Sequence, residues 1–332
     1  MNVIALIPFR NEARFLPLCL ASLKGVANLV IGLDDNSTDN SASILTDYGG
    51  IVLSSSGEMS GFSQGKETAM RQRLLDEGRR HGGTHFICID ADEALTTPFR
   101  THGRALMESL APGHKLSLPW LTLWGSTRQY RDGDLSKFHR IYRAVIVRDA
   151  PDLPPYGGFL HMPRTPGSDE RSNVTKVLTA QGALLHYTAA DLDAYKYKVA
   201  WYHCVELVRA PGESERINRF YFRDWDETHL RLKAVPDAWL QGLPAVRQGD
   251  AQAVNWHLSE ILKLFDAHGM EFFEPLEIWH VPALRAEFAR RTGREPCAPP
   301  MLTRLRRAAR FERKRFDRWL VDMKRRLRGE EY

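Results

Sequence analysis

The chain has 332 residues, of which 43% are hydrophobic, 10% aromatic and 26% charged, ordinary values for a soluble globular protein with one large domain or two modest ones. No run approaches the roughly 18 to 20 apolar residues that a membrane-spanning helix needs, and Met1 to Pro8 lacks the basic start and small-residue cleavage site of a secretory leader. The formal charge of +5 is a property of one segment: residues 301–332 hold ten Arg and two Lys against five acids, a net of +7, so the other 300 residues carry −2.

The first hundred residues alternate strand and helix signals, the pattern of an α/β domain with a mainly parallel sheet. Val3 to Ile7 is a short apolar strand ending at Pro8. A polar turn, Arg10-Asn11-Glu12, leads to a helix expected near Pro17, with Leu16, Leu20 and Leu23 as its apolar stripe. Leu29 to Leu33 forms a second strand, stopping at Asp34-Asp35-Asn36-Ser37-Thr38-Asp39, where Ser37, Thr38 and Asp39 are candidate caps for a helix reaching Leu45. Ile51 to Leu53 is a third strand, followed by a Ser/Gly-rich stretch and a helix from about Lys66 to Arg80. Phe86 to Ile89 is the fourth strand, with Asp90-Ala91-Asp92-Glu93 at its carboxyl end. Ligands of open α/β sheets bind along that edge.

Beyond residue 115 the pattern is mixed. Leu116 to Leu123, Phe138 to Val147 and Val177 to Leu185 read as strands, and the Gly- and Pro-dense stretch from Pro151 to Gly167 reads as a long loop over the site. Arg131-Asp132-Gly133-Asp134 reads as a hairpin turn. After His186-Tyr187 the sequence is predominantly helical. Cys19, Cys88, Cys204 and Cys297 have no paired spacing and read as reduced thiols, which suits a cytoplasmic protein.

The chemistry gathers at Asp90, Asp92 and Glu93. Three acids at a strand end repel one another unless a cation neutralises them, and hard ions such as Mn²⁺ or Mg²⁺ bridge one or two carboxylates to substrate phosphates. A solvated acidic turn is the competing reading of the cluster taken alone.

The ordered set Pro8-Phe9-Arg10-Asn11-Glu12, Asp34-Asp35-Asn36-Ser37-Thr38-Asp39 and Asp90-Ala91-Asp92 resembles the family 2 glycosyltransferases. That family's hallmarks are a Pro-x-x-Asn-Glu start, an Asp-Asp-x-Ser-Thr-Asp second loop and a strand ending in Asp-x-Asp. The resemblance spans roughly residues 2 to 100 and thins afterwards. It implies the GT-A nucleotide-diphospho-sugar transferase fold, an α/β architecture with a Rossmann-like mixed sheet. Residues 1–190 would form the catalytic domain, with a donor-binding part at 1–100 and an acceptor-side part at 101–190. Residues 191–332 would be a helical extension.

The resemblance further implies metal-dependent, inverting transfer of a hexose-type sugar from a nucleotide-diphosphate donor, UDP-linked, to a saccharide or lipid-linked acceptor, as in bacterial surface-polysaccharide assembly. Pro8, Arg10, Glu12 and Asp35 would line the nucleotide pocket, with Asp35 accepting from the base. Arg71 would lie beneath the nucleotide, Asp90 would face the ribose or donor sugar, and Asp92 would hold Mn²⁺ or Mg²⁺. His186 would complete the metal or diphosphate site, against the commoner reading of a structural histidine, and Lys196 and Lys198 would contact phosphate. An inverting transfer also needs a carboxylate base. Related lipopolysaccharide-type enzymes carry a His-Glu pair before the last strand, and His161-Met162 stands in that place here. Asp149, Asp152, Asp169 and Glu170 are the substitutes, with Asp169 and Glu170 preferred in a mobile acceptor loop. A non-catalytic sugar-nucleotide-binding or assembly protein of the same fold is the alternative. A nucleotidyltransferase fits poorly, because the first strand leads into a loop without glycine.

In about residues 301–328, Leu305, Ala309, Phe316, Leu320, Met323 and Leu327 recur at helical spacing among Arg and Lys, a basic amphipathic helix. It could lie on an anionic membrane, at the inner face, or dock on the body or on a second subunit; docking is the commoner case. Nothing in the sequence carries a nucleic-acid-binding module.

Overall fold

The computed structural model describes residues 1–55, 64–132, 142–157, 163–167, 172–221, 231–246 and 256–297, with isolated positions between 305 and 323. The chain divides into two compact units. The first is residues 1–131, 140–191 and 232–253; the second is 132–139, 192–231 and 254–332.

The first unit is built on one sheet with strands β1 (Val3–Phe9), β2 (Leu29–Asp34), β3 (Ile51–Ser54), β4 (His85–Cys88), β5 (Glu93–Leu95), β6 (Lys115–Trp124), β7 (Gln129–Arg131), β8 (Tyr142–Arg148), β9 (Val174–Lys176), β10 (Leu184–Ala189) and β11 (Leu232–Ala234). Their order along the main path is β11-β7-β6-β8-β4-β1-β2-β3. β4, β1, β2 and β3 run parallel. β8 is inserted antiparallel between β4 and β6, which makes the sheet mixed. β10 pairs parallel with β6 and antiparallel with β5. This is the α/β, mostly parallel arrangement that the resemblance implies.

Helices α1 (Leu16–Leu23), α2 (Ser41–Asp47), α3 (Gln64–Arg80) and α4 (Thr97–Glu108) cover the sheet. Both faces of β1 are apolar because both are covered. Val3, Ala5, Ile7 and Phe9 join Leu16, Leu20 and Leu23 of α1 and Phe99 of α4 in one core cluster. Ile4 and Leu6 join Met70, Leu74 and Leu75 of α3 in the other. Alternate residues of a strand point to opposite faces, so a central parallel strand reads as a continuous apolar run. Residues 232–253 return to this unit because Val235 is buried with Leu18, Leu123, Leu185 and Tyr187, and Trp239 and Leu240 pack on them. Thr97 on α4 secures that return, its hydroxyl donating to the carbonyls of Trp239 at 3.1 Å and Gln241 at 2.8 Å.

Most of the strand expected from Val177 to Leu185 is instead the turn between β9, which ends at Lys176, and β10, which starts at Leu184; only Leu184 and Leu185 of that range are in a strand. Gly182 sets that turn. It has φ +147°, and a Cβ there would meet the Phe99 backbone, 2.7 Å from Cα and 2.8 Å from N. Phe138 to Ile141 and the expected Gly133-Asp134 turn lie outside the described residues. The second unit contains the helices Leu192–Arg209, Ser214–Phe220, Trp256–His268 and Pro282–Thr292, in keeping with a predominantly helical C-terminal part. No helix among the described residues is long and apolar enough to cross a membrane.

Candidate active site

In the parallel part of the sheet the carboxyl ends of β1, β2 and β4 lie on one edge, and the polar loops after them are adjacent. The first two loops are tied together. Asn11 N donates to Ser37 Oγ at 2.9 Å, Glu12 N to Ser41 Oγ at 2.9 Å, and Ala13 N to Asp39 Oδ2 at 3.0 Å. Thr38 N donates to Asn11 Oδ1 at 2.6 Å in return. Asn11 (φ 54°) and Asn36 (φ 57°) occupy the left-handed region that asparagine tolerates better than most residues.

These bonds change the roles expected of Ser37 and Thr38, which bond the first loop. The residue before α2 is Asn40, whose side chain makes no cap bond. Asp39 serves both sides: its Oδ1 accepts from Ser41 N, the first amide of α2, at 3.0 Å, while its Oδ2 accepts from Ala13 of the first loop. Asp34 Oδ1 accepts from Ser37 N at 2.9 Å. Asp35 is paired with the buried Lys66 of α3, whose Nζ lies 2.6 Å from Oδ1. Pro8 and Arg10 stand at the end of β1 and the start of the first loop, and Glu12 follows, each half-buried.

The acidic turn is held by two buried arginines. Arg71 of α3 donates from Nη2 to Asp90 Oδ1 at 3.0 Å and to Glu67 Oε1 at 3.2 Å. Arg164 places Nη2 2.7 Å from Asp90 Oδ2 and Nη1 against Glu93 Oε2. Burial pushes Asp90 up, but Arg164 and Arg71 outweigh it and hold the carboxyl below its ordinary value. Glu93 is buried deeper, and there burial wins over Arg164 and raises its value. Glu93 also accepts from Trp120 Nε1 at 2.6 Å and from the Asp90 amide at 3.0 Å. Cys19 of α1 lies beneath, its Sγ 3.7 Å from the Asp90 carbonyl. Burial first, then the charges of Glu93, Asp92 and Asp90, raise that thiol well above its ordinary value, so it is a protonated core residue.

Asp92 and His186 meet across the strands. His186 on β10 is in register with Glu93 of β5 and Thr122 of β6. Its Nε2 lies 3.5 Å from Asp92 Oδ2, and its ring stacks on Trp120 with centroids 4.7 Å apart. Its Nδ1 is buried with no hydrogen-bond partner among the described residues. The Nε2 of an imidazole and a carboxylate oxygen at this separation suit a Mn²⁺ or Mg²⁺ ion whose remaining ligands are phosphate and water oxygens. No group of three or more His, Cys, Asp or Glu among the described residues could hold a metal by itself.

The other expected residues are distributed differently. Arg71 makes its contacts to carboxylates of the protein. Lys196 and Lys198 lie on the helix Leu192–Arg209 of the second unit, where Lys196 pairs with Asp193 at 2.9 Å. Asp169, Glu170, His161 and Met162 lie outside the described residues. Asp149 is removed from the site by topology. It follows β8, which runs antiparallel to β4, so it stands at the opposite edge of the sheet, hydrogen-bonded to Thr84 and ion-paired with Arg79 at 2.7 Å.

Arg164, Trp120 and Lys66 are site residues that sequence reasoning missed. The signal for Arg164 was the excess of acids over nearby cations in the cluster. Its position is set from below: Tyr156 OH donates to the Arg164 carbonyl at 2.9 Å, and Lys115 Nζ to the Pro166 carbonyl at 2.9 Å.

Residues 4–99, which carry both loops and the acidic turn, match the sequence model of glycosyl transferase family 2. No curated protein matches the sequence. Similar solved structures include glucosyl-3-phosphoglycerate synthase from Mycobacterium tuberculosis in complex with Mn²⁺, UDP and glucosyl-3-phosphoglycerate, at 20% identity and a TM-score of 0.28, over 37% of this chain and 45% of that one. Mannosyl-3-phosphoglycerate synthase from Rubrobacter xylanophilus is another, at 20% identity and a TM-score of 0.30, over 41% and 42%. The chain thus covers less than half the length of each of these structures.

Proposed function

We propose that the chain is a metal-dependent glycosyltransferase that moves a sugar from a nucleotide-diphosphate donor, UDP-linked, to a saccharide or lipid-linked acceptor with inversion. The observation that carries this reading is the meeting of Asp92 and His186 beside the Asp90 turn, within a segment of family 2 sequence. In this reading the loops after β1 and β2 take the nucleoside. Asp35, already charge-balanced by Lys66, presents a carboxylate oxygen to the base. Asp90 is kept ionised and fixed by Arg71 and Arg164, facing the ribose or donor sugar. Asp92 and His186 would hold Mn²⁺ or Mg²⁺, which when bound neutralises the diphosphate leaving group. Trp120, anchored by Glu93 and stacked on His186, keeps the imidazole turned to Asp92.

Residues 1–100 would serve the donor and 101–190 the acceptor side. The base that deprotonates the acceptor hydroxyl is assigned to Asp169 or Glu170. Assembly of a surface polysaccharide is the setting that fits a lipid-linked acceptor.

The test is release of free nucleoside diphosphate from UDP-, GDP- and dTDP-sugars and of CMP from CMP-sugars, with Mn²⁺ or with a chelator. Mn²⁺-dependent release from a nucleoside-diphosphate sugar, reduced at least ~100-fold in Asp92→Ala, is expected, the size of a lost transition-state charge contact. Calorimetric binding without turnover on any donor and any offered acceptor would make the chain a binding protein. Full activity in Asp92→Ala would remove the metal role.

A further inference from the structure

Among the described residues of the basic tail, the apolar ones form an exposed stripe. The described positions between Leu305 and Met323 are helical. Leu305 is 56% exposed, Phe316 57%, Trp319 57% and Met323 36%. At about 100° per residue these four side chains fall within about 60° of arc on one side of a helix. Phe316 and Trp319 stack on each other, centroids 5.8 Å apart, and so present one continuous aromatic surface. Arg313 and Arg315, 84% and 55% exposed, flank that stripe. Over residues 301–332, twelve Arg and Lys stand against five acids.

We infer that this segment is a docking surface for an anionic lipid bilayer, lying in the membrane interface with the Leu305–Phe316–Trp319–Met323 stripe toward the acyl chains and the arginines among the headgroups. Two features select this occupant. A nucleic acid would satisfy the cations but offers no apolar phase for a stripe on the opposite side of the helix. A second copy of the tail would cover the stripe but would bring a second +7 segment, with Arg313 and Arg315 at its rim, against the first. A bilayer rich in anionic lipid satisfies both surfaces at once. This inference stands apart from the donor chemistry and needs no sugar nucleotide for its test.

The experiment is co-sedimentation of the full chain with vesicles of phosphatidylcholine alone or with 30% phosphatidylglycerol. Wild type is compared with Phe316→Ser/Trp319→Ser, whose altered side chains are exposed. Wild type is expected to pellet with the anionic vesicles and not with the neutral ones. Pelleting should weaken at least tenfold in the double variant, and also at 0.5 M salt, where screening shortens the reach of the charges. Equal pelleting of wild type and variant would overturn the inference, as would equal pelleting with the two vesicle types. So would a concentration-dependent dimer, seen by sedimentation velocity and lost in the variant, without vesicle binding.

Discussion

At Asp90–Glu93 the deciding partners come from far along the chain. Three acids in four residues were legible as a site that must gather positive charge, but not where that charge resides. Arg71 lies 19 residues upstream and Arg164 71 residues past Glu93, in a stretch readable only as a Gly- and Pro-dense loop. Arg164→Met therefore leaves Glu93 buried without its cation, and breaking a buried pair in this way costs about 3–5 kcal/mol. Urea denaturation measures it; a cost under about 1 kcal/mol would show that Arg164 does not support the turn. Trp120→Phe keeps a ring beneath His186 and removes the donor to Glu93. That orphaned acceptor should cost about 1–3 kcal/mol. If Trp120 also orients His186, Mn²⁺ binding in the presence of UDP should weaken roughly tenfold, as for other residues that support a metal ligand. Unchanged Mn²⁺ affinity by electron paramagnetic resonance would limit Trp120 to stability.

At the scale of elements, the first four strands and their helices were readable because apolar runs and breakers alternate with the period of an α/β unit. What was not readable depended on tertiary contacts. Ser37, Thr38 and Asp39 have the chemistry of helix caps, yet all three also bridge two loops: Ser37 and Asp39 accept from the Asn11 and Ala13 amides, Thr38 donates to the Asn11 side chain, and only Asp39 reaches an amide of α2 as well. The apolar run from Val177 to Leu185 hides a turn that only Gly182 permits. Gly182→Ala should destabilise by at least about 2 kcal/mol, since the new methyl meets backbone of α4 and the backbone is already at positive φ. A melting temperature within one degree of wild type would contradict that. In the second unit, Glu274 accepts from Arg294 Nη2 at 2.8 Å and from Cys297 N at 2.7 Å. The Arg294 bond leads in lowering the Glu274 value from 4.5 to about 2. A folded value below the unfolded one gives stability that is complete above about pH 4.5 and is lost as pH falls through about 2. The stability gap between wild type and Glu274→Gln should therefore narrow from pH 7 to pH 3, and an equal gap at both would contradict the clamp.

Over the whole molecule, the two units divide legibility as well as structure. The motifs that suggest a donor-binding part all fall within residues 4–99, the stretch that the family model matches. The return of residues 232–253 to the first unit had no signature, because Val235, Trp239 and Leu240 look like any other apolar residues until Leu18, Leu185 and Tyr187 are brought beside them. The central claim is that the first unit binds a sugar nucleotide through a metal at Asp92 and His186. Its most direct test is a thermal-shift titration of wild type and Asp92→Ala with UDP-, GDP-, CMP- and dTDP-sugars, each with Mn²⁺ or with a chelator. A ligand at 100 times its dissociation constant stabilises by about 2.7 kcal/mol. The account predicts that one nucleotide class, UDP, raises the midpoint of wild type only with Mn²⁺, and that Asp92→Ala keeps its own midpoint but loses the shift. No shift with any nucleotide, or an equal shift in both proteins with the chelator present, would contradict it.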